Sequence, residues 1–152
     1  MKIIIIGGVA GGATTAARIR RVDETAEIVL LEKGKYISYA NCGLPYYIGG
    51  VIEERDKLFV QTPEAFSTRF RVDVRTENEV IFIDRKRKTV TVRQSSEDTY
   101  EESYDKLVIS TGASPVRPPL PGIDLSGIFT LRNVTDTDRI KEYIKNLSLI
   151  HI

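Results

Sequence analysis

The sequence predicts an α/β fold in which a βαβ unit begins a parallel sheet and an antiparallel β-meander is inserted downstream. Three observations carry that expectation. Residues 2–6 (KIIII) and 27–32 (EIVLLE) are short, continuous apolar runs, the pattern of strands buried on both faces. Between them lie a glycine-rich turn, GGVAGG at 7–12, and residues 13–21, which are small and apolar, then basic, and good helix formers. From residue 72 to 104 the pattern changes to alternating apolar and polar residues, broken by polar turns at 84–88 and 95–98.

The other elements come in order along the chain. Residues 36–42 read as a loop. Residues 43–50 carry Pro45 early and Gly49-Gly50 late, which predicts a short helix with proline in its first turn and glycine at its stop. Thr62-Pro63-Glu64 opens a helix running to about Arg69, with Thr62 as its cap. Meander strands are expected at 72–74, 79–84, 89–93 and 102–104. Residues 106–110 return to a buried strand that ends in Thr111-Gly112-Ala113. The proline-rich stretch 115–121 reads as a linker, 127–131 as a short strand, and 136–145 as the start of an amphipathic helix. Residues 147–152 (LSLIHI) read as a non-native tail. They correspond to one reading frame of a sequencing-library transposon end, and the helix reaches them without a cap. His151, the single histidine, falls there, and no site is built on it.

Composition narrows the function classes. A formal net charge of +1 offers no global field toward nucleic acid or an anionic membrane surface. The apolar run at 3–6 is far short of the roughly 20 residues of a membrane span. After Lys2 the chain passes from that short run straight into glycines, which is not the form of a secretory leader. One cysteine permits no internal disulfide, which fits a reducing cytoplasm. No metal site is read from the sequence.

Strand, glycine turn, helix, strand and terminal acid together form the setting of a dinucleotide site. Gly7 permits the tight turn, and Gly12 lets the helix approach the strand. N–H groups at the helix start, around Val9 to Ala13 and so including Ala10 and Gly12, can hold a pyrophosphate in the helix dipole field. Glu32 ends the second strand 20 residues after Gly12 (12 to 32), where a carboxylate can accept bonds from ribose hydroxyls. Val9 departs from G-x-G-x-x-G, because it replaces the glycine that lets the backbone reach the phosphates. The alternative is a glycine-rich turn with no ligand. The fold is therefore expected to be Rossmann-like.

Cys42 lies in SYANCGLPYYIGG, at the predicted start of the helix that Pro45 opens. Helix N-terminal N–H groups favour a thiolate, the nucleophilic form. The alternative is a cysteine that only fills space.

The run S-x-x-N-C-G-L-P-Y-Y-I-G-G, the glycine-rich start, Glu32-Lys33, YDKLVI with STGA at 104–113 and GIFTLR at 127–132 resemble coenzyme A-disulfide reductases. These form the single-cysteine branch of the pyridine nucleotide-disulfide oxidoreductases, and the resemblance covers residues 1–146. It implies FAD bound by Gly7, Val9, Ala10, Gly12, Glu32, Lys33, Thr111, Gly112 and Ala113, with Val80 near the adenine through its backbone. It implies NAD(P)H as electron donor and Cys42 as the residue that forms a mixed disulfide with coenzyme A. Ser38 and Asn41 match positions that contact the coenzyme A thiol arm. Thr14, Arg18 and Arg21 match positions facing its nucleotide. Arg18 and Arg21 share a helix face and suit phosphate, whereas Arg20 points elsewhere; a solvated helix end is the alternative for each. Arg69 and Arg71 are weaker candidates for a further phosphate contact, and Tyr36, Tyr39, Tyr46 and Tyr47 read as packing residues.

The resemblance also implies a domain plan. Residues 1–114 form the first segment of an FAD-binding domain, 115–133 a linker with a short strand, and 134–146 the start of an NAD(P)H-binding domain. A second FAD segment and a dimerisation domain would come next, giving a homodimer when full length. The 152-residue piece alone is accordingly expected not to turn over.

Coenzyme A disulfide or coenzyme A persulfide is the expected substrate. Persulfide reductases share the cysteine segment. NADH oxidases and peroxidases carry a histidine where this chain has Ala10 and cycle through sulfenic acid. Two-cysteine reductases need a C-x₂-C or C-x₄-C pair that is absent here. A non-catalytic nucleotide-binding module with an inert Cys42 is the reading from a different class.

Overall fold

The computed structural model describes residues 1–145 and 147; apart from Leu147, the expected non-native tail lies outside the described residues. In chain order the elements are β1 (Lys2–Ile6), α1 (Ala10–Val22), β2 (Glu27–Glu32), α2 (Leu44–Ile48), α3 (Pro63–Phe70), β3 (Asp73–Thr76), β4 (Asn78–Asp84), β5 (Thr89–Gln94), β6 (Thr99–Ser103), β7 (Lys106–Ile109) and α4 (Val134–Lys145). They fall into two units: Met1–Tyr39 with Phe59–Gly112, and Ala40–Leu58 with Ala113–Ile152.

The first unit holds both sheets. A parallel sheet has the order β3-β2-β1-β7, and an antiparallel one has the order β4-β5-β6. The continuous apolar runs of β1 and β2 arise because the parallel sheet is covered on both faces. On one face Ile3, Ile5, Ile28 and Leu30 pack with Ala13 and Ala16 of α1 and Phe66 of α3. On the other, Ile4, Ile6, Val29 and Leu31 meet Val90 and Val92 of the meander. The α3 start is as expected: the Thr62 hydroxyl oxygen accepts from Ala65 N–H at 3.2 Å, and Pro63 comes next.

The structure corrects three strands. Residues 72–74 are not in the meander. Asp73 and Val74 belong to β3, which pairs parallel to β2 at the sheet edge, with Val72 and Val74 packed into the core beneath α1 and α3. The last meander strand is β6, at Thr99–Ser103 rather than 102–104. No strand forms at 127–131. Gly127 sits at φ +89°, the described residues offer that stretch no strand partner, and Phe129 instead packs on Tyr143 of α4 with ring centroids 5.0 Å apart.

A charge cluster fastens β6 to the parallel sheet. Lys2 Nζ donates to one Glu102 carboxylate oxygen at 2.5 Å, and Arg75 Nη1 donates to the other at 2.5 Å. Arg75 also binds Asp73. Burial pushes the Glu102 carboxyl up, but the bonds from Lys2 and Arg75 outweigh it and hold the group below the usual carboxylate range. A depressed folded value adds stability that is full above the unfolded value, about pH 4.3, and is lost as pH falls through the folded one. Glu102→Gln is therefore expected to lower stability by about 1–3 kcal/mol at neutral pH. The deficit should shrink as the solution is acidified below pH ~4, read from denaturant midpoints across a pH series.

Candidate functional site

The glycines of the GGVAGG turn sit in close backbone contacts. Gly7 lies at φ +96°, and a Cβ there would sit 2.2 Å from the Ser110 carbonyl oxygen. A Cβ on Gly12 would sit 1.7 Å from the Gly7 carbonyl oxygen, so only glycine lets α1 rest on this turn. Val9 has a negative φ, −81°, so this position does not call for the left-handed freedom of glycine, although its ψ of −106° falls outside the helical and extended regions. Val9 caps α1 without a side-chain bond, and no acid occupies the first turn. The N–H groups of Ala10, Gly11 and Gly12 are thus left for an anion.

Glu32 is buried and ties the turn to the loop after β2. One carboxylate oxygen accepts from Gly8 N–H at 2.7 Å and the other from Gly34 N–H at 2.7 Å. Each oxygen retains acceptor capacity for a hydroxyl donor. Beside it lies a cavity of about 120 Å³ lined by Ile6, Gly7, Leu31, Glu32, Lys33, Asn78, Glu79, Val80 and Thr111. The glycine turn, the carboxylate and a lining of mixed polar and apolar residues thus meet at one edge of the parallel sheet. Of the residues singled out in the sequence, the cavity brings together Gly7, Glu32, Lys33, Val80 and Thr111. Ala10 and Gly12 lie in the first turn of α1. Gly112 comes just after the cavity at φ +70°. Ala113 belongs to the second unit, where its carbonyl accepts from Arg132 Nε at 2.8 Å.

Thr14, Arg18 and Arg21 form an exposed stripe along α1. Arg20 leaves that stripe, donating to the carbonyls of Phe70, Arg71 and Glu24. Arg69 and Arg71 are exposed, with Arg69 over the Phe70 ring. Ser38 holds a left-handed φ of 48°. Its N–H donates to the Gly8 carbonyl at 3.1 Å and its carbonyl accepts from Val60 N–H at 2.8 Å, so this loop is anchored on the nucleotide turn. Tyr36 packs on Phe59 with ring centroids 5.0 Å apart.

In the second unit Cys42 is an exposed free thiol at the centre of a single 3₁₀ turn, Asn41–Gly43, which runs directly into α2. Pro45 is in the first turn of α2 and Gly49 ends it, as expected. Two contacts hold this segment to α4. Arg55 grips Asp138 with two bonds of 2.9 and 2.7 Å, and Lys141 Nζ donates to the Tyr47 carbonyl at 3.0 Å while lying over its ring. Asn78 and Glu79 on the cavity wall escaped sequence reasoning. Their neighbour Val80 was singled out only by resemblance, since this cavity wall has no motif of its own.

A parallel sheet whose strand ends meet a glycine turn and a carboxylate defines the doubly wound dinucleotide-binding class. The chain belongs to the pyridine nucleotide-disulphide oxidoreductase family, which matches residues 1–151. It is similar to a coenzyme A disulfide reductase of Staphylococcus aureus (strain JH9), 48% identical over 145 residues that make up 95% of this chain and 32% of that protein. Among solved structures, reduced Bacillus anthracis CoADR-RHD is 56% identical with a TM-score of 0.93, over 95% of this chain and 26% of that one. An NAD-dependent persulfide reductase from A. fulgidus is 42% identical with a TM-score of 0.89, over 95% and 27%. The chain thus spans about a third of the length of the curated relatives it matches.

Gly12→Ala is expected to cost about 1–3 kcal/mol or more through forced overpacking and to abolish binding of ADP. Denaturant melts and calorimetric titration check both.

Proposed function

We propose that the chain is the flavin-binding first part of an NAD(P)H-dependent reductase that cleaves coenzyme A disulfide through Cys42. The observation that carries this reading is the lone, exposed Cys42 thiol in a chain 48% identical to a coenzyme A disulfide reductase. The cavity at Glu32 and the α1 start would hold the adenosine and pyrophosphate of FAD through Gly7, Val9, Ala10, Gly12, Glu32, Lys33, Val80, Thr111, Gly112 and Ala113. Bound flavin would supply the two-electron link between NAD(P)H and the disulfide.

The chain's own residues do the rest. The Cys42 thiolate attacks one sulfur of coenzyme A disulfide. The S–S bond breaks, Cys42–S–S–CoA forms, and the released coenzyme A thiolate takes a proton from solvent. Two electrons from NAD(P)H and a further proton then return Cys42 and a second coenzyme A thiol, so one NAD(P)H yields two thiols. Arg18 and Arg21 make no hydrogen bond or ion pair among the described residues and are free to meet the substrate's phosphates; Thr14 lies in the same stripe. Ser38 and Asn41 would contact the thiol arm. A free thiol that must stay reduced suits a cytoplasmic setting. The helix from Val134 would begin the NAD(P)H-binding domain, with a homodimer as the working form. The A. fulgidus similarity supports a second reading, in which the same cysteine acts on coenzyme A persulfide.

The chain incubated with coenzyme A disulfide should gain the mass of one coenzyme A, removable by dithiothreitol, and the Cys42→Ser chain should gain none. Arg18→Ala/Arg21→Ala should need a higher disulfide concentration. In the full-length enzyme, Cys42→Ser should cut turnover at least about a thousand-fold. Labelling of the serine variant, or its undiminished turnover, would defeat the proposal.

A further inference from the structure

The cavity wall formed by Asn78, Glu79 and Val80 stands where the chain leaves β3 and enters β4. β4 is an edge strand, supported by β5 on one side only, and its register slips between Val80 and Phe82. Something else must therefore hold the wall against the cavity. Two contacts do. The Glu77 N–H donates to the Gly34 carbonyl at 3.1 Å, and Gly34 is itself bound to Glu32. The second runs through Asn78. Its side-chain nitrogen donates to the Thr76 carbonyl at 2.7 Å, and that carbonyl can only accept, which fixes the amide's orientation. The amide oxygen then accepts from the Tyr100 hydroxyl at 2.9 Å.

Tyr100 lies on β6, two strands away from Asn78. Its ring joins the core between the two sheets, among Val80, Val92 and Leu31. Its hydroxyl is held in turn: Arg75 Nη1 donates to it at 3.1 Å, and Arg75 is fixed by Asp73 and Glu102. A donor–acceptor chain thus runs from the charge cluster through Tyr100 to the cavity wall. In it the tyrosine oxygen accepts from Arg75 and gives its only proton to Asn78. A phenylalanine at this position would keep the packing and lose both bonds.

We propose that Tyr100 is a positioning residue for the adenosine half of the bound dinucleotide: through Asn78 it sets the main chain of residues 78–80 as one wall of the cavity beside Glu32. This rests on the reading of that cavity as the adenosine site. The test compares ligands with and without adenosine, using flavin-free full-length protein and its Tyr100→Phe and Asn78→Ala variants. Dissociation constants for FAD, ADP and FMN are measured together with the thermal midpoint. Tyr100→Phe should weaken FAD and ADP roughly five- to tenfold, leave FMN unchanged, and add little further loss in the Asn78→Ala background. Unchanged FAD and ADP affinity in Tyr100→Phe would overturn the proposal. So would an equal loss for FMN, which would mark a general structural effect. Parent protein that binds FAD no better than FMN and ignores ADP would instead remove the adenosine-site reading itself.

Discussion

The contact on which the first unit depends is the seat of Gly12 on the carbonyl of Gly7. That approach leaves no room for a Cβ. It brings the start of α1 onto the end of β1, so unpaired helix N–H groups face the same edge as the strand ends. The neighbouring glycines extend the junction. Gly7 admits the Ser110 carbonyl after β7, Gly8 N–H binds Glu32 at the end of β2, and the Gly8 carbonyl binds Ser38 N–H. Three strand ends and the loop that carries Ser38 therefore converge on six residues. A side chain at Gly7 or Gly12 would disturb the anchorage of all of them together.

Glu32 shows how fold and site share one group. Burying a carboxylate is costly unless it is hydrogen-bonded. Here two backbone N–H groups meet that cost and in doing so orient both oxygens at the cavity. The opposite wall is built differently. It belongs to an edge strand, where Val80 packs on the core and Asn78 is linked through the Tyr100 hydroxyl and Arg75 to Glu102. The same ions that fasten the meander to the parallel sheet thus also bear on the cavity.

Much of this was legible in the sequence because it is local. Apolar runs marked β1 and β2, GGVAGG marked the turn, Thr62-Pro63 marked the start of α3, and Pro45 with Gly49 bracketed α2. Cys42 was placed just before α2, and Arg18 and Arg21 fell on one exposed face as their spacing requires. The misplacements share one cause. Alternation at 72–74 suits an edge strand of either sheet, and only packing of Val72 under α1 and α3 decides for the parallel one. At 127–131 the residues have strand character but no neighbour to pair with among the described residues. Asn78 and Tyr100 lie 22 positions apart and meet only because β4, β5 and β6 fold back on one another. No spacing rule announces such a pair.

Hydrogen exchange at individual amides, with and without ADP, tests the central claim most directly. If the glycine turn and the Glu32 cavity hold the dinucleotide, ADP should slow exchange at Ala10–Ala13 and at residues 78–80 and leave the 84–88 turn of the meander unchanged. Protection confined to other segments, or none at saturating ADP, would contradict it.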